Sequence, residues 1–152
     1  MANTQAMCSQ FKVDAMNGLH AFGTSVIRGA TTKDAYKAAL YLASATRNAS
    51  DTVYNSTGEV AGANYTAGGV AVTTGVAPTV SGTTAIFTPS ASIVYTTVTL
   101  ATAFDAVLLY NETSATKLAV SVHTFGSQTI TAGTFTLTMP VNDASNALVR
   151  IA

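Results

Sequence analysis

From residue 85 to the C-terminus the strand signal is strong, in alternating apolar and polar positions and in continuous apolar runs. In "KLAVSVHTF" (117–125), Leu118, Val120 and Val122 fall on one face and Lys117, Ala119, Ser121 and His123 on the other, which is the period of a strand. After Gly133 the alternation returns: Phe135, Leu137 and Met139 point one way, Thr134, Thr136 and Thr138 the other. Pro140 is expected to end that strand, because proline cannot donate to a ladder. "IVYTTVTL" (93–100) and "FDAVLLY" (104–110) are apolar or threonine-bearing on both sides, as in strands covered on both faces. "NETSAT" (111–116) then closes a hairpin into 117–125, and "ALVRI" forms a last strand after the "VNDASN" loop.

The N-terminal half is less regular. Ser9 can cap a short helix over residues 10–17, with Gly18 as its left-handed stop and with Phe11 and Ala15 as its apolar stripe. The segment "TTKDAYKAALYLASATR" reads two ways. Tyr36, Leu40 and Ala43 share a helical face behind Thr32, and alanine favours that form, yet Tyr36, Ala38, Leu40 and Leu42 also alternate at strand spacing. Between them and residue 85, Gly68-Gly69, "GVAP" (75–78) and Ser81-Gly82 divide the chain into loops and short strands.

Short strands separated by turn residues, without a βαβ pattern, predict an all-β protein, an antiparallel β-sandwich or jelly roll. One domain spans 1–152: an N-terminal arm and short helix over 1–22, and the sandwich over 23–152. Phe135, Leu137, Leu118, Val120, Val122, Leu108, Phe104 and Leu40 are the expected core.

Charge alters this picture. Only 9% of the residues are charged, seven basic against seven acidic, where about 25% is usual. The stretch 53–80 contains one charge, Glu59, and none follows until Asp105. Copies without net charge do not repel one another, and charges are depleted at interface cores, so an assembly subunit is expected. No basic cluster exists to neutralise phosphates, so nucleic acid is not an expected partner. Neither a leader-like segment nor a long apolar run is visible, so no membrane partner is expected, and the single Cys8 fits a reducing compartment such as the cytoplasm.

Candidate chemistry is sparse. His123, near Ser121 and Thr124, could join a hydrolase triad, but no GxSxG elbow accompanies it. A strand histidine satisfied by a neighbouring hydroxyl is the plainer reading. His20 has no second ligand at zinc spacing. "GANYTAGG" lacks the Lys and the Ser or Thr that must follow a phosphate-binding loop, since Val70 and Ala71 stand there. Asp51, Asn55 and Glu59 lack a calcium-loop pattern. No catalytic residue, cofactor or metal site is therefore assigned.

"FKVDAMNGLHAF", "DAYKAALYLASAT", "TGEVAGANYTAGGVAV", "AFDAVLLYN" and "GTFTLTMPVNDASNALVRIA", taken together and in order, resemble small virion structural proteins of tailed bacteriophages. The similarity runs through nearly the whole chain, with Asn64 where the pattern has glycine. The resemblance implies a capsid cement or decoration protein, made in the host cytoplasm. It would dock as a homo-oligomer on the capsid exterior and clamp neighbouring major capsid protein subunits. It also implies that "KAALYL" is a strand. The contacts are expected at Phe11 and Met16 of the arm and at Tyr65, Val70 and Val72 of the centre. The "GTFTLTMP" ending also occurs in tail-fibre modules, which keeps a tail- or fibre-associated host-recognition protein as the alternative.

Overall fold

The computed structural model describes residues 3–8, 10, 11, 15, 18–20, 22 and 33–152. Eight strands have defined bounds: β1 (Ala6–Met7), β2 (Tyr36–Leu42), β3 (Val70–Val72), β4 (Thr79–Ser81), β5 (Thr84–Phe87), β6 (Ile93–Asn111), β7 (Ala119–Leu137) and β8 (Val149–Ile151). They form two open antiparallel sheets, one in the order β1-β7-β6-β2-β3 and the other β4-β5-β8. The fold is all-β, as expected, and neither sheet closes into a barrel.

"KAALYL" is a strand. Its alanines favour a helix in isolation, but tertiary pairing outweighs a propensity of a few tenths of a kcal/mol per residue. β2 lies between β6 and β3, with Leu40 opposite Val107 and Ala38 opposite Val70. Both of its faces are covered: Tyr36, Ala38 and Leu40 are buried on one side and Ala39 and Tyr41 on the other. The small side chains have a packing reason. The Tyr95 hydroxyl donates to the Ala38 carbonyl at 2.8 Å, and Gly69 packs so closely that a Cβ there would lie 1.7 Å from the same oxygen.

The segments 93–100 and 104–110 are one continuous strand, β6, and 117–125 joins 134–137 in the same way to form β7. Repeated register shifts between the two 19-residue strands absorb the curvature, and Thr97 (φ 54) and Ala132 (φ 47) take left-handed backbone within it. The outer half of the hairpin thereby curls back over the sheet. Phe135 meets Phe104 at 5.1 Å and Phe125 at 5.2 Å between ring centroids, and Tyr95 stacks near Tyr65.

Burial along β6 corrects one expectation. Residues 106–111 are buried on both faces, but in 93–100 Val94, Thr96 and Thr97 are exposed, so that half is covered on one side alone. Among the expected core residues, Leu40, Phe104, Leu108, Val120 and Val122 are buried, whereas Leu118, Phe135 and Leu137 are half-buried near the rim. Phe87 and Val149 of the small sheet belong to the same apolar cluster as Leu40, Leu108 and Val120 of the large one.

Met7 and Ala6 pair with Ser121 and Val122, and Asn3 donates to the Leu42 carbonyl and to the Asp105 carboxylate, tying the N-terminal arm to the large sheet. Most of the expected helix over 10–17 lies outside the described residues, and the elements with defined bounds are all strands. Gly18 has the left-handed φ of 67 expected of it, and its N–H donates to the Ala15 carbonyl. Residues 23–32, the start of the expected sandwich segment, also lie outside the described residues.

Candidate interaction surface

The one charge of the quiet stretch is used internally. Glu59 accepts three hydrogen bonds: from the Tyr54 hydroxyl at 2.6 Å, the Tyr65 hydroxyl at 2.7 Å and the Gly68 N–H at 2.7 Å. Tyr65 in turn accepts the Leu40 N–H, and Tyr110 donates to the Gly68 carbonyl. Loop 51–69 is thus held together by Tyr54 and Tyr65 converging on Glu59, and tied to β2 through the Leu40 N–H on Tyr65 and to β6 through Tyr110 on Gly68. Burial and the bond to Glu59 push the Tyr54 hydroxyl up to about 12, and the same two causes raise Tyr65 further. The departure from the resemblance at Asn64 has a backbone cause. Asn64 sits at φ 61, a region open to Gly and tolerated by Asn, and its side chain donates to the Thr97 carbonyl at the β6 bulge.

Several other charges among the described residues pair with one another. Lys37 and Lys117 hold Glu112 at the β6–β7 turn, where the hydrogen bond from Lys117 lowers the carboxyl below its usual range despite partial desolvation. Arg47 pairs with Asp51 at 3.1 Å. Asp51 and Glu59 therefore serve different partners, and no group of three metal-ligating side chains occurs among the described residues.

The small sheet carries an exposed apolar row. Val80 of β4, Ala85 of β5 and Ile151 of β8 are register partners in one cross-strand row, and all three are exposed, Val80 by 73% and Ile151 by 45%. Side chains two residues along on the same face, Phe87 and Val149, are buried in the core. The row is the inner face of the small sheet continued beyond the cover of the large one. Beside it lies an apolar cavity of about 170 Å³, walled by Phe11, Phe22, Phe87 and Val149. Residues 75–80 leading into β4 are exposed and without charge.

The expected contact residues are placed differently. Phe11 is buried, in edge contact with His20 and Phe22, and reaches the surface only as a wall of that cavity. Val72 is buried at the end of β3, Val70 is half-buried on the same edge strand, and Tyr65 is engaged by Glu59 and Leu40. Met16 lies outside the described residues. Tyr65 and Val72 are thus engaged within the protein itself, whereas the row of Val80, Ala85 and Ile151 is exposed. Sequence patterning could not have found it, because Val80, Ala85 and Ile151 meet only through pairing across two hairpins.

A larger cleft, about 750 Å³, opens between β1, β7 and the loop before β8. Ser121 Oγ and His123 Nε2 lie 2.8 Å apart on its wall, with the imidazole held down to about 4 by burial. Among the described residues no carboxylate is hydrogen-bonded to His123, so the orienting member of a triad is missing. Nearby Asp143 is occupied by the Asn146 side chain and the N–H groups of Ser145 and Asn146. No helix among the described residues is long and apolar enough to cross a membrane. Comparison with protein-family models, curated proteins and solved structures gives no significant match.

Proposed function

We propose that this chain is a virion structural protein of the cement or decoration type, docking on the head exterior and joining neighbouring major capsid protein subunits. The observation that carries the reading is the exposed, uncharged row Val80–Ala85–Ile151 beside an apolar cavity. Full burial of a Val or Ile side chain contributes roughly 1.5–3 kcal/mol, and no charge in the row itself opposes desolvation. A shell offers many equivalent sites, so modest contacts act together. The resemblance supplies the identity of the partner, and a sandwich or jelly-roll arrangement of the two sheets belongs to the same reading. On this reading the protein catalyses nothing and needs no cofactor, metal, nucleic acid or membrane.

Heads lacking the protein, titrated with the wild type and with a Val80→Asp, Ile151→Asp double variant, test it. Saturable wild-type binding, lost in a double variant of unchanged melting temperature, is expected. Equal binding by both would remove the row from the interface. Wild-type binding to tails but not to heads would favour the tail- or fibre-associated alternative.

A further inference from the structure

Among the described residues, the outer edge of β7 has no strand beside it over most of its length. β1 pairs only with Ser121 and Val122, and from Thr124 to Leu137 no strand pairs on that side among the described residues. Natural sheets protect such edges with lysine, proline, inward charges or bulges. Residues 124–139 contain no charged residue and no proline. Bulges interrupt the strand in places, but the end is regular, with Tyr95, Val94 and Ile93 facing Phe135, Thr136 and Leu137 in unbroken register. There Thr134 and Thr136 are exposed while Phe135 and Leu137 remain half-buried, so the apolar face of this edge is incompletely covered.

We infer that this edge pairs with the same edge of a second copy, antiparallel about a twofold axis at Thr136. That axis sets Thr136 opposite Thr136 of the second copy, Phe135 opposite Leu137, and Thr134 opposite Thr138. Directly opposed residues of an antiparallel pair share a face, so threonine meets threonine on the outer side and apolar meets apolar on the inner. The edge is its own complement, because the alternation around Thr136 is the same read in either direction. A zero net charge adds no repulsion between copies. The contact is isologous, and being confined to one short strand per copy it falls below the roughly 1,200 Å² of stable interfaces. The dimer is therefore weak in free solution. The pairing concerns copies of this chain alone and does not depend on the reading that heads are its partner.

Residue 136 meets itself only if the axis lies there, which gives a specific test by sedimentation on the purified protein. Thr136→Lys and Thr136→Asp each place like charges roughly 5 Å apart across the axis, and each should weaken dimerisation about tenfold, equivalent to ~1.4 kcal/mol. An equimolar mixture of the two should recover the dimer. Thr136→Cys should independently form a disulfide-linked dimer on mild oxidation, since opposed Cα atoms about 4.5–5.5 Å apart suit the bond. A monomer at millimolar concentration would overturn the proposal. So would an undiminished Thr136→Lys dimer, or a mixture that recovers nothing.

Discussion

Replacing Glu59 by alanine removes the acceptor of three hydrogen bonds at once, those from Tyr54, Tyr65 and the Gly68 N–H. The Gly68 backbone is buried and the two phenols are half-buried, so water reaches the abandoned donors incompletely. A buried donor left unpaired costs about 1–3 kcal/mol. Gly68 and Tyr65 bear most of this, since the Tyr54 hydroxyl lies nearer solvent, which gives a loss of about 3–5 kcal/mol. Against a total stability of about 5–15 kcal/mol for a domain, that is a large fraction. At about 2–4 °C per kcal/mol for a chain of this size, the melting temperature should fall by roughly 6–20 °C. Glu59→Gln keeps one acceptor and should lose about half as much. Urea unfolding followed by tyrosine fluorescence gives both values from the transition midpoints. A Glu59→Ala loss under about 1 kcal/mol would refute the assignment of Glu59 as the fastening of loop 51–69, and would free the carboxylate for an external role.

Three further measurements bear on the fold and its pH response. Gly69→Ala combines a left-handed φ of 75 with a Cβ placed 1.7 Å from the Ala38 carbonyl oxygen, so it should cost about 3 kcal/mol or more. Gly82→Ala, at φ 64 with open space around it, should cost only the roughly 1–2 kcal/mol of the backbone conformation; equal losses would contradict the close approach of loop and strand. Burial holds His123 down to about 4 in the folded chain, while the unfolded chain titrates near 6.5. As pH falls from about 6.5 toward 4 the unfolded state takes up a proton that the folded state refuses, so stability drops, by at most about 3 kcal/mol for a half-buried ring. The difference in unfolding free energy between wild type and His123→Gln, followed from pH 7 to 4.5, should show that slope, and parallel curves would contradict the burial of the imidazole.

Much of the C-terminal half was legible because its strands have one apolar and one polar side. Thr134, Thr136 and Thr138 alternate with Phe135, Leu137 and Met139, and the exposures follow that alternation. Where both faces are buried the period fades, which is why the residues of Tyr36–Leu42 by themselves lean toward a helix. Its strand form depends on pairing with β6 and on Gly69 and Tyr95 pressing against Ala38, none of which is local. The division of β6 and β7 into shorter strands has a similar origin. Residues 101–103, left between the two expected strands, continue β6 because the register shifts absorb the bend. The proposed contact surface was the least legible part. Tyr65 and Val72 are apolar residues in an uncharged stretch, but the Glu59 network and the core engage them, and the exposed row is assembled from three separate strands.

The most direct measurement of the proposed role is the binding stoichiometry of the purified protein on isolated heads that lack it, together with the temperature at which those heads rupture. Saturation at many copies per head with a raised rupture temperature is expected. Absence of binding, or saturable binding that leaves the rupture temperature unchanged, would contradict a cementing function.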